Sequence, residues 1–168
     1  MMKMTFIFEK EISKYFQDEN NPIEFDFEAH NFGPFSKKVY EAVDFLETRE
    51  IIKLIPVPPH RMSSDEMDID RKLMASEIEV LTFQNEDTYS SEGFQLTGYG
   101  IKMMKNKDIW FSWAKLSEEK KQVLIDFKTT MVNTSLKDIL KYVYSKYPEY
   151  AEKSVIYEKI RNDGVRRK

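Results

Sequence analysis

The chain has 168 residues and no cysteine, and its 29 acidic and 26 basic side chains give a formal charge of −3. Disulfides, thiolate metal sites and cysteine nucleophiles are therefore excluded, and 41% hydrophobic with 14% aromatic residues is not a disordered composition. No apolar run approaches the ~20 residues of a membrane helix, and the few apolar residues before Glu9 are too short for a signal-peptide core, so one water-soluble, cytoplasmic domain is expected.

In chain order, Met4 to Phe16 reads as a helix, with Thr5 as its cap and Phe8, Ile12 and Phe16 recurring every four residues. After the turn-rich QDENNP, the segment IEFDFEA (23–29) alternates Ile23, Phe25 and Phe27 with Glu24, Asp26 and Glu28, the period of a strand with one buried face. Gly33-Pro34 is expected to stop that strand. Ser36 is a good N-cap for a helix from Lys37 to Arg49, whose inward face is Phe35, Val39, Ala42, Val43 and Leu46. IIKLIPV (51–57) reads as extended.

SSDEMDIDRKLM (63–74) fits a helix opened by a Ser63/Glu66 capping box. IEVLTF (78–83) and FQLTGYG (94–100) are expected to form a hairpin, over about 78–97, around a polar loop. The chain turns helical after Thr97, where Tyr99, Met103 and Met104 supply an apolar side. Ser117 caps a helix to about Val132, with Val123, Leu124, Phe127 and Met131 inward. Leu136, Ile139, Leu140, Val143 and Tyr147 mark the next helix, which Pro148 ends, and SVIYEKIRN adds a last short turn. Together these elements predict an α+β, winged helix-turn-helix-like domain. Residues 1–100 form the winged part, and 101–168 form a C-terminal helical extension.

Three blocks carry a family resemblance: FDFEAHNFGPFSKKVYEAVDFLETREI, the later FQLTGYG, and LKYVYSKYPEYAEKSVI. They resemble prokaryotic winged-helix proteins of the YwgA-like and Panacea (SocA-like antitoxin) type. The GPFS block matches the turn and helix start of that pattern, and FQLTGYG matches the junction that closes its wing. The resemblance implies a regulatory or antitoxin-like protein that acts by binding.

Charge is unevenly spread. The first 100 residues carry 10 basic and 20 acidic side chains, net −10, and the remaining 68 carry 16 and 9, net +7. Ser36, Lys37 and Lys38, with Asn31 nearby in sequence, stand at a helix start, where free amides and the helix dipole favour an anion. They are the candidate contacts for a DNA phosphate. The plainer reading, a capped surface helix with solvated lysines, is preferred. Glu41, Asp44 and Glu47 follow on the same helix and would repel phosphates, and a helix that reads base edges ordinarily offers Arg, Asn, Gln or Ser.

Tyr142, Tyr144, Tyr147 and Tyr150 suggest a partner interface. Trp110, Phe111 and Trp113 among lysines fit a stacking strip for nucleic acid, but aromatics this dense are better read as core. The acids Asp65, Asp68 and Asp70 fail the EF-hand spacing and read as a helix-start cluster. His30 and His60 are too few for an imidazole site. No GxSxG elbow, P-loop, GxGxxG or HExxH is present.

The expectation is thus a protein without catalytic residues, metal or cofactor. It binds double-stranded DNA, a partner protein (a toxin or an assembly subunit), or both. A homodimer is compatible with this reading, and membrane association is not expected.

Overall fold

Phe6 is completely buried, and the chain is arranged around it. Its ring meets Phe27, Tyr147 and Tyr150 edge-on, with centroids 5.2, 5.2 and 4.6 Å away. Each such pair contributes roughly 0.5–1.5 kcal/mol beyond the area it buries. The computed structural model describes residues 1–16, 23–57, 91–109 and 112–162, and it is a mixed structure of helices and two small sheets.

The N-terminal helix α1 spans Met2–Ile7, continues as a π-helical turn over Phe8–Ile12 and ends in a 3₁₀ turn, Ser13–Tyr15. This differs from the expected single helix in two ways. It begins before Thr5, whose hydroxyl donates to the Met1 carbonyl and caps nothing. Its buried face is Met2, Phe6 and Ile7, while Phe8, Ile12 and Phe16 are half-buried. The i→i+5 bonds of the π turn change the angular step between successive side chains, so a four-residue stripe no longer follows one face. Ser13 Oγ also donates back to the Glu9 carbonyl at 2.6 Å, a bond that bends helices.

Exposure alternates along 23–29 as the sequence predicts, with Ile23, Phe25, Phe27 and Ala29 half-buried and the acids outside. The ladder itself is shorter. Strand β1 is Glu28–His30, and it pairs antiparallel with β2, Gly33–Phe35. Upstream, Asp26 turns to φ 51°, and Phe25 spends both backbone groups on side chains. Its N–H donates to Glu9 Oε2 at 2.5 Å, and its carbonyl accepts from Ser36 Oγ. Gly33-Pro34 therefore begins the returning strand rather than ending the sheet. Gly33 holds φ 89°, in the left-handed region that glycine enters without a Cβ penalty.

Helix α2 spans Lys37–Thr48, with Ser36 as N-cap accepting from the Val39 amide at 3.3 Å. Such a cap is worth about 1 kcal/mol. Val39 is buried and Val43 and Leu46 are half-buried, but Ala42 is exposed: the face in contact is narrower than the helical period allows. Strand β3, Ile52–Val57, pairs antiparallel with β4, Ser91–Leu96, from Ile52↔Leu96 to Val57↔Ser91. The sequence instead suggests 78–83 as the strand before the wing loop. That segment, the 63–74 helix, His60, Trp110 and Phe111 all lie outside the described residues.

Helix α3, Gly98–Lys105, opens on Thr97, whose hydroxyl accepts from the Gly100 amide at 3.0 Å. The same hydroxyl donates to the Glu50 carbonyl, tying the end of α2 to the start of α3. Trp113 lies half-buried in a 3₁₀ turn.

Helix α4, Glu118–Asn133, and helix α5, Leu136–Lys146, start at Ser117 and Ser135, each accepting an amide three residues on. In α4 the expected inward residues Val123, Leu124, Phe127 and Met131 are half-buried, and none of its sixteen residues is fully buried. In α5, Ile139, Leu140, Val143 and Tyr144 are buried. With Ala151, Ile156 and Ile160, the last from the short helix α6 (Tyr157–Asn162), they join Phe6 and Ile7 in one core. That core draws on both the first 16 residues and the last third of the chain. Among the described residues, no helix is long and apolar enough to cross a membrane.

Candidate functional site

The start of α2 is already occupied by the chain's own groups. Ser36 is completely buried, and its hydroxyl is shared between the Phe25 carbonyl and the Val39 amide. It is thereby removed from the set a phosphate could touch. Lys38 pairs with Asp26 at 2.5 Å, and Lys37 pairs with Glu41 at 3.2 Å on the next turn. The hydrogen bond it donates to Asp26 holds the Lys38 ammonium above its ordinary pKa. Both pairs are solvent-exposed, where such bridges contribute little to stability, but each lysine has a carboxylate within reach. Asn31 is exposed, and its carbonyl accepts from the Val155 amide at 2.9 Å. The His30 ring packs on Phe35, with centroids 5.0 Å apart, and among the described residues no cluster of His, Asp and Glu has the form of a metal site.

The four tyrosines face inward more than outward. Tyr144 and Tyr150 are buried, and their hydroxyls meet Ser154 at 2.7 Å and the Phe27 carbonyl at 3.2 Å. Burial pushes the Tyr144 phenol up to about 12. These two are core residues and not a partner surface: Tyr144 comes from α5 and Tyr150 from the turn that follows, and both pack in the cluster around Phe6.

Tyr147 is half-buried and Tyr142 is exposed, and both donate to the same oxygen, Glu11 Oε1, at 3.2 and 2.6 Å. Lys146 Nζ reaches that oxygen at 2.9 Å and also donates to the Tyr142 hydroxyl at 2.7 Å. Burial acts to raise the Glu11 carboxyl, but the bonds from Tyr142 and Lys146, the Lys146 charge and the Tyr147 bond outweigh it, and the pKa falls below the ordinary value. The Lys146 ammonium is held up by Tyr142 and Glu11. This cluster locks the π-helical turn to α5. No spacing in the sequence signals Glu11, because its partners lie 131 and 136 residues away.

Beside the cluster runs a groove of about 530 Å³, within the range of ligand-binding clefts. The N-terminal helical run contributes Ile7, Glu11, Ile12 and Tyr15, and α5 contributes Asp138, Ile139 and Tyr142. The α4 wall is two parallel rows at helical spacing, an apolar row of Val123, Phe127 and Met131 and a polar row of Asp126 and Thr130 that Thr134 continues just past the helix end. The sequence identifies the apolar row as inward-facing. Phe127 and Met131 pack against the edge of the core, and the rest of the row's surface lines this groove, which leaves the row half-buried. The charged residues lining the groove, Glu11, Asp126 and Asp138, are all acidic.

No family model, curated protein or solved structure matches the chain.

Proposed function

We propose that this chain is a non-enzymatic interaction module of winged-helix type that holds a partner protein and does not read DNA through α2. The order of α2, the antiparallel pair β3 and β4, and α3 supports the winged-helix reading, as does the resemblance of the GPFS and LTGYG blocks to YwgA-like and Panacea-type proteins. An antitoxin or an assembly subunit fits this role. The observation that carries the choice of protein over DNA is the state of the α2 start: Ser36 is buried and both lysines are matched to carboxylates. A phosphate would compete with Asp26 and Glu41 for them.

The test is a titration of fluorescent duplex DNA with the wild-type chain and with the Lys37→Glu/Lys38→Glu variant, at several salt concentrations. Weak binding that does not depend on these lysines is expected. Tight binding that falls steeply with salt and is lost in the double variant would overturn the reading.

A further inference from the structure

We propose that the groove between the N-terminal helical run and α4 receives a basic amphipathic helix from the partner. This rests on the interaction-module reading and gives the partner a chemistry. Three observations lead to it.

The first is charge. The groove has an apolar lining from Ile12, Phe127, Met131 and Ile139, and its charged lining residues are Glu11, Asp126 and Asp138, with no lysine or arginine among them. Of these three, only Glu11 has a cation in close contact among the described residues. Glu11 Oε1 takes Tyr142, Tyr147 and Lys146, and Asp126 Oδ1 takes the neutral Gln122 amide at 2.7 Å. Asp138 takes the Ser135 hydroxyl at 2.8 Å and has Lys141 at 3.9 Å. An acidic rim around an apolar lining complements lysines or arginines flanking an apolar stripe, and it repels nucleic acid and acidic peptides.

The second is backbone chemistry. The groove is lined by helical segments, and neither two-stranded sheet contributes to it. An extended peptide would find no strand edge to pair with and would leave its amides unmatched. A helix satisfies its own backbone and needs only side-chain contact, the helix-in-groove mode of recognition.

The third is length and uncovered surface. The α4 wall from Val123 to Thr134 extends roughly 16 Å at 1.5 Å per residue, which matches three turns of a bound helix. No residue of α4 is fully buried, so this wall has side-chain surface left for an incoming side chain to cover. The bound helix would set apolar residues at i, i+4 and i+7 against Phe127, Met131 and Ile12, and cations toward Asp126 and Asp138.

The probe is a capped synthetic helix of 14 residues with leucines at those positions and lysines beside them. Its counterpart carries glutamates in place of the lysines. Binding to the whole chain is followed by fluorescence anisotropy, and circular dichroism checks that each variant is folded. The lysine peptide should bind, and the glutamate peptide should bind at least about tenfold more weakly, as expected when like charges face each other across a contact. Asp126→Lys/Asp138→Lys should weaken the lysine peptide by a similar factor. Thr130→Arg, at an exposed position, should obstruct the groove and weaken it too.

Equal binding of the two peptides, no binding of either, or indifference to Thr130→Arg would overturn the proposal. So would a self-associated chain that Thr130→Arg turns into monomers, since the occupant would then be a second copy. The DNA titration above reads the parent proposal independently: with DNA binding absent and the peptides inactive, the groove assignment falls and the interaction reading stands.

Discussion

The Tyr142 hydroxyl donates to Glu11 Oε1 at 2.6 Å across 131 residues of chain. With Tyr147 and Lys146 on the same oxygen, this contact fastens the π-helical turn to α5 at one edge of the groove.

Replacing Glu11 by Gln keeps the shape and removes the charge. The cluster is partly exposed, so the expected loss is about 0.5–1.5 kcal/mol at neutral pH, the range of an ordinary hydrogen bond. The sign of the pH dependence follows from the lowered Glu11 pKa. The contribution is present above the unfolded value near 4.5 and is lost as pH falls through the lower folded value. Urea denaturation from pH 7 down to 3 should therefore show wild type and Glu11→Gln converging at the acid end. A gap that stays constant over that range would mean that the Glu11 charge is not what the contact uses.

Gly33→Ala should destabilise the chain by roughly 1–3 kcal/mol, from strain at positive φ and from overpacking. A Cβ there would lie 3.2 Å from the Tyr144 hydroxyl and 3.3 Å from Leu140 Cδ2, at φ +89°. Thermal unfolding at constant buffer reads the loss. An unchanged melting temperature would show that the β1–β2 turn can relax away from α5.

The two glycines of GYG should part company. A Cβ on Gly98 would meet nothing within 4 Å, whereas a Cβ on Gly100 would lie 2.1 Å from the Ile51 carbonyl oxygen. Gly98→Ala should be neutral or stabilising by up to about 1 kcal/mol. Gly100→Ala has to move backbone where β3 begins beside the end of β4 and should cost about 2–3 kcal/mol. Parallel denaturation curves check the order, and equal effects would contradict this packing of α3 on Ile51.

Ser36 and Ser117 cap the helices that the sequence assigns to them, whereas Thr5 does not, and Thr97 and Ser135 cap two further helices in the same way. A cap reaches three residues along the chain, so everything needed to recognise it is local. The same holds for the alternating exposure of 23–29 and for the apolar face of α5. The sequence also places Val123, Phe127 and Met131 on one side of α4, and it leaves open what that side meets.

The remaining features were decided by the path of the chain. The strand expected over 23–29 narrows to Glu28–His30 because Glu9 and Ser36 take the backbone groups of Phe25. Two of the four tyrosines sink into the core because Phe6 and the β1–β2 hairpin lie against them. The lysines that mark an anion site in the sequence meet Asp26 and Glu41. Periodicity and capping act over a few residues and survive in any fold that keeps the helix. Which tyrosines meet Glu11, and which apolar row is left beside an open groove, depends on segments more than 100 residues apart coming together, and no local pattern encodes that.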